Sequence, residues 1–206
     1  MSNYNERTGS ELTMERARQY RSNGQYEEAF RIYQVLAEQG NVDAQVNLAS
    51  CYDFGRGVAE DCSQAAYWYR RAAEQGDFEA QHQIGTCYYF GRGVQEDREQ
   101  AAKWIYKAAD RGYTDSEFVL GLLYLRGLGV EENHLYAQGW FYKAALKGHK
   151  DAQYFLGGCY ERGLALRKMI GRPHGGTAGP PRKGTRTPSI AWECATMKDA
   201  ASRKTL

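Results

Sequence analysis

A self-similarity with a period of 36 residues, held through three consecutive units, constrains this chain more than any other feature of its sequence. The segment from Ala44 reads AQVNLASCYDFGRGVAEDCSQAAYWYRRAAEQGDFE. The segment from Ala80 reads AQHQIGTCYYFGRGVQEDREQAAKWIYKAADRGYTD, and the one from Ser116 reads SEFVLGLLYLRGLGVEENHLYAQGWFYKAALKGHKD. A fourth starts at Ala152 with AQYFLGGCYERGLAL and then stops matching. A unit this short cannot bury its own apolar face, so it must stack on its neighbours.

Each unit divides into two helices. Ala44, Leu48 and Tyr52 are four residues apart and share one helical face, as do Ala80, Ile84 and Tyr88, then Ser116, Leu120 and Tyr124, then Ala152, Leu156 and Tyr160. The small residue beside the central one (Ala49, Gly85, Gly121, Gly157) predicts close approach of a neighbouring helix, because a mid-helix glycine costs roughly 1 kcal/mol in propensity. This first helix should end at Gly55, Gly91, Gly127 and Gly163, where glycine takes the left-handed conformation. The second should start at Asp61, Asp97 and Asn133. Asp61 with Gln64 and Asp97 with Gln100 have capping-box spacing, while the third unit has Tyr136 in place of Gln. Ala65, Trp68, Tyr69, Ala72 and Ala73 form an apolar stripe, repeated around Trp104 and Trp140, and read as core. That helix should stop at Gly76, Gly112 and Gly148.

Residues 10–43 form a shorter related unit, with Ala17 and Tyr20 on one helix and Ala29, Ile32, Tyr33 and Ala37 on the next. The expected array is four complete helix pairs and one orphan helix. Residues 44–151 closely resemble Sel1-like repeats, through the A-x-x-x-L-G-x-x-Y-x-x-G-x-G-V-x-x-D core followed by A-x-x-W-Y-x-K-A-A-x-x-G. Residues 10–43 look more like a tetratricopeptide repeat. The resemblance implies an all-α fold, a right-handed α-solenoid of antiparallel helix pairs used as an adaptor surface. The expected divisions are 1–9 disordered, 10–43 tetratricopeptide-like, Sel1-like repeats at 44–79, 80–115 and 116–151, a partial one at 152–165, and a tail at 166–206.

The net charge of +2 hides an asymmetry. From Leu166 onward there are nine Lys/Arg and two Asp/Glu, a charge of +7, which leaves −5 for residues 1–165. All four prolines lie after Tyr160 and all sixteen tyrosines at or before it. Residues 166–188 are rich in Gly, Pro and basic side chains and should be disordered. Their six charges with no interleaved aromatic give little support to an arm for nucleic acid or an anionic membrane. A short helix over 190–203 has Ile190, Cys194, Met197 and Ala201 on one face, and could cover the last repeat. The alternative is a truncated array whose uncapped end frays or self-associates.

The N-terminus shows no signal-peptide apolar run and no stretch approaches the roughly 20 apolar residues of a membrane span, so the chain reads as cytoplasmic. Free thiols fit that reading. Cys51, Cys87 and Cys159 lie at equivalent places, but helix axes stand about 8–10 Å apart, against a Cα limit of about 7 Å for a disulfide. A secreted cysteine-rich branch of the resembled family, described as binding or hydrolysing β-lactams, pairs cysteines where this chain has Ala73 and Ala80, then Ala109 and Ser116. An enzyme of that kind is therefore not expected. His82, His134, His149 and His174 occupy unrelated positions without metal-ligand spacing, and no catalytic site, metal site or cofactor site is expected. The G-R-G-V and G-L-G-V stretches are inter-helix turns, since no strand precedes them.

On a helical wheel, residues 46, 50 and 53 point away from the stripe of Ala44, Leu48 and Tyr52, and there the repeats disagree. Position 46 becomes Val46, His82, Phe118 and Tyr154; position 50 becomes Ser50, Thr86, Leu122 and Gly158; position 53 becomes Asp53, Tyr89, Leu125 and Glu161. The resemblance places first helices on the concave side, so these residues line the expected groove, apart from the bare Gly158. A partner peptide or helix would engage Tyr89, Phe118, Leu122, Leu125 and Tyr154. The alternative is that Phe118, Leu122 and Leu125 pack against the tail or a neighbouring first helix. Phe54, Phe90, Arg126 and Arg162 sit at the rim, with either role open. The competing function is a structural or regulatory subunit that docks through its open C-terminal end.

Overall fold

The computed structural model describes residues 12–161, with side chains through 157, and every regular element within them is a helix. In order these are α1 Met14–Ser22, α2 Tyr26–Glu38, α3 Val42–Phe54, α4 Cys62–Glu74, α5 Phe78–Phe90, α6 Arg98–Asp110, α7 Thr114–Arg126, α8 His134–Leu146 and α9 Lys150–Glu161. Successive helices pack on one another from α1 to α9, as in a right-handed solenoid of antiparallel pairs. The expected tail, including Arg162, Gly163, His174 and the stretch 190–203, lies outside the described residues.

The helix ends follow from local chemistry. Gly55, Gly91 and Gly127 stand at φ 62, 66 and 64° and terminate α3, α5 and α7. The Asp61 carboxylate accepts from the Ser63 and Gln64 amides, Asp97 from Gln100, and Asn133 from Leu135 and Tyr136. The reciprocal half of the expected capping box is supplied differently. The amides of Asp61, Asp97 and Asn133 donate to the carbonyls of Tyr52, Tyr88 and Tyr124 at 2.9, 3.0 and 2.8 Å, closing each unit on itself. At the other end, the side chains of Asn41 and Asp77 accept from the amides of Ala44 and Ala80, and His149 Nδ1 accepts from Ala152.

The stripes form the core. Ala44, Leu48, Tyr33, Ala72, Ala80, Ile84, Leu120 and Phe141 are all essentially inaccessible. The small-residue rule holds where a second helix follows. A Cβ built at Gly85 would stand 2.8 Å from Ile105 Cδ1, and one at Gly121 would stand 2.5 Å from Phe141 Cε1. Gly157 departs from it: no described atom comes within 4 Å of a Cβ there. Close packing at this position depends on the second helix of the same repeat, and α9 has none among the described residues.

One buried side chain disagrees with its surroundings. Gln138 is 2% exposed, its amide nitrogen and oxygen both lack partners, and the equivalent residues are Ala66 and Ala102. Burying an unsatisfied amide costs about 1–3 kcal/mol. Gln138→Met keeps the volume without that cost, and is expected to raise stability by about 1–2 kcal/mol in urea denaturation. A lowered midpoint would contradict this.

Candidate functional site

Side-chain contacts between successive first helices decide what the variable face can present. Arg18 on α1 reaches Asp43 on α3 at 3.1 Å, and Arg21 reaches Asn47 at 2.7 Å. His82 on α5 pairs through Nδ1 with Ser116 Oγ on α7 at 2.8 Å, with its ring against Tyr113, and burial holds its pKa below the ordinary histidine value. Phe118 on α7 stacks on His149 at 4.5 Å and meets Phe155 of α9 at 5.8 Å. Asp53, whose side chain is 10% exposed, forms an ion pair with Arg92 of the next repeat at 2.6 Å. Part of the variable face is thus the seam between repeats.

The expected groove residues separate accordingly. Val46 is partly buried against the core of α1–α5, and Tyr89, Phe118, Leu122 and Leu125 are partly buried against that of α6–α9. Ser50 is half-buried, and the Thr86 hydroxyl is turned onto the Gln83 carbonyl at 2.7 Å. Tyr154 is 81% exposed, and the Glu161 side chain lies outside the described ones. At the rim, Phe54 is 60% exposed and Phe90 68%, at the same place in consecutive repeats. Around them, Arg56 lies over the Phe54 ring, Tyr89 meets Phe90 edge-on at 4.9 Å, and Arg98 lies over Tyr89. Second helices also expose Tyr26, Val35, Tyr67 and Leu146, but at places that do not correspond between repeats.

A cleft of about 680 Å³ opens elsewhere, between α4, the Val94–Asp97 turn and α6. Its wall carries Arg70, which donates to the Tyr88 hydroxyl at 2.5 Å, together with Glu74, Gln100 and Trp104. No group of His, Cys, Asp and Glu that could hold a metal ion occurs among the described residues. Burial pushes the Cys51 and Cys87 thiols up to about 11, so both stay protonated near neutrality and neither is an activated nucleophile. Cys51, Cys62 and Cys87 are free. No described helix is long and apolar enough to cross a membrane.

A second set of inter-repeat contacts was not anticipated from the sequence. Gln45 and Gln81, both buried, donate through Nε2 to the carbonyls of Ala37 and Ala73 at 3.1 Å each, tying a first helix to the preceding second helix. At the same place in the third repeat stands Glu117, 3% exposed, which has no proton to donate. Lys147 answers it, reaching Glu117 Oε1 at 2.8 Å and the Gly112 carbonyl at 2.7 Å. The only sequence signal was that this neighbour of the stripe stays Gln or Glu while adjacent positions vary.

The Sel1 repeat family model matches residues 22–41, 42–77, 78–113, 114–149 and 150–168, so α1 lies almost wholly outside the match. The crystal structure of c5321, a protective antigen of uropathogenic Escherichia coli strains displaying an SLR fold, is similar at 33% identity and a TM-score of 0.66 over 68% of this chain. A Sel1 repeat protein from Oxalobacter formigenes is similar at 36% identity and a TM-score of 0.63 over 65%. The matched segments span 30% and 55% of those two proteins. Helicobacter pylori cysteine rich protein B shares the fold at 23% identity and a TM-score of 0.52, over 64% of this chain and 95% of that one. Among curated proteins no match is found. With five consecutive matched units and the helix pairs, glycine turns and seams that such units build, the chain belongs to the Sel1 repeat family.

Proposed function

We propose that the chain is a non-enzymatic adaptor whose first-helix face, concave in the family it belongs to, holds an extended segment or helix of a partner protein. Sel1 repeats generally mediate protein–protein interaction. The observation that carries the finer reading is the recurrence of exposed phenylalanine at Phe54 and Phe90, one repeat apart, with Arg56 over the first ring and Arg98 over Tyr89 beside the second. Leaving such a ring exposed to water costs solubility without stabilising the fold, whereas a partner that covers it gains the apolar area. Two anchors in register also suit a ligand that runs along the array. Tyr89 supports Phe90 from the side, while Phe118, Leu122 and Leu125 act mainly as the floor.

Affinity capture with the full chain tests this, using Phe54→Ala/Phe90→Ala beside the unmodified protein. Both side chains are exposed, so the helical circular dichroism should not change. Loss of an aromatic anchor costs about 2 kcal/mol or more, so the identified partner should bind the double variant at least about 30-fold more weakly. Binding unchanged by the double variant would move the site away from the rim.

A further inference from the structure

In the complete repeats, one residue of the second helix plugs the small position of the first. Ile105 sits over Gly85 and Phe141 over Gly121, and each plug is followed three and four residues later by two alanines: Ile105 with Ala108 and Ala109, Phe141 with Ala144 and Ala145. Tyr69 with Ala72 and Ala73 keeps the same spacing. In α9 the corresponding socket is Gly157, exposed and open among the described residues, beside Tyr154 at 81% exposure. The residue in register with Phe141 would be 36 positions on, at Thr177. It falls in HGGTAGPP, with Pro173 before it and Pro180 and Pro181 inside the span, residues that disfavour a helix interior. The sequence therefore offers no in-register plug for this socket from its own repeat.

The plug pattern recurs once further along. Met197 is followed by Ala200 and Ala201, on the face that also carries Ile190 and Cys194, and Ser189 stands in front as an N-cap type after Pro188. We propose that residues 190–203 dock on α9 as a substitute second helix, with Met197 seated over Gly157. The chain permits it. Between Glu161 and Ile190 lie 28 residues, and a flexible connection of that length has a root-mean-square span of about 30 Å. Seated antiparallel, as second helices are, the segment starts beside the end of α9, about one helix diameter of 10 Å away. A thioether side chain is also suited to an imperfect socket, because it is unbranched and adaptable.

Amide hydrogen exchange of residues 150–160 in the full chain decides between occupants. Met197→Asp should speed exchange in α9 at least ten-fold while leaving α3 to α6 unchanged, and Met197→Leu should not. Gly157→Leu gives a test of opposite sign. On an open helix face leucine stabilises relative to glycine and slows exchange; in a covered socket it blocks the plug and speeds exchange. Sedimentation velocity on the same samples should show a monomer at every concentration. Slower exchange in Gly157→Leu, no effect of Met197→Asp, or α9 protection that appears only with a concentration-dependent dimer would each overturn the proposal, the last by making a second copy the occupant.

Discussion

Gly93→Ala is expected to lower stability by about 2–5 kcal/mol, the combined scale of left-handed backbone strain and overpacking. Gly93 stands at φ +68°, and a Cβ there would lie 1.9 Å from the Cys62 carbonyl oxygen and 2.8 Å from the Ser63 amide nitrogen. Those are backbone atoms of the first turn of α4, in the preceding repeat, and cannot step aside as a side-chain tip could. The second glycine of each G-x-G-V turn is therefore an inter-repeat contact as well as a turn. Gly57 meets Tyr26 and Gly129 meets Arg98 in the same way. Gly148→Ala separates the two effects: its φ is +89° but nothing lies within 4 Å, so it should cost only about 1–2 kcal/mol of strain. Guanidinium denaturation followed by circular dichroism measures both. Equal costs at the two sites would show that the inter-repeat approach is looser than this.

Lys147→Met is expected to cost about 2–3 kcal/mol. Removing one partner of a buried ion pair usually costs about 3–5 kcal/mol, because the remaining charge is stranded away from water. The lower figure fits a lysine side chain that is itself 41% exposed, so solvent already reaches one end of the pair with Glu117. The diagnostic result is the rescue. Glu117→Gln restores the amide found at Gln45 and Gln81, which can donate to the preceding helix without a cation, so most of the loss should return in Glu117→Gln/Lys147→Met. The coupling energy from the double-mutant cycle should exceed about 1 kcal/mol. Additive effects would mean that the two residues act separately.

The legible part of this fold was the part written in short-range rules. The period set the helix pairs; Gly55, Gly91 and Gly127 marked the ends of the first helices; Asp61, Asp97 and Asn133 marked the starts of the second. What escaped depends on the next repeat. A wheel drawn for α5 places His82 opposite Leu48-type positions, yet it cannot show that Ser116 and Tyr113 of the following repeat are there to receive the imidazole. Gln45 reads as a surface residue by type, and is fully buried because both ends of its amide are met, by the Ala37 carbonyl and by Gln75. Gly157 carries the same signal as Gly121, and differs because the signal presupposes a partner helix. For the candidate site, the same reasoning found the variable face but not how much of it is consumed by the seam; Tyr154 on that face and Phe54 and Phe90 at its rim stay exposed.

Site-specific photo-cross-linking tests the central claim most directly. A benzophenone amino acid is placed singly at Phe54, at Phe90, and at Tyr67, which is 50% exposed on the second helix α4 and serves as the comparison. The account predicts that one partner protein is captured from positions 54 and 90 and not from 67. Capture from 67 alone, or equally from all three, would contradict a binding surface on the first-helix face.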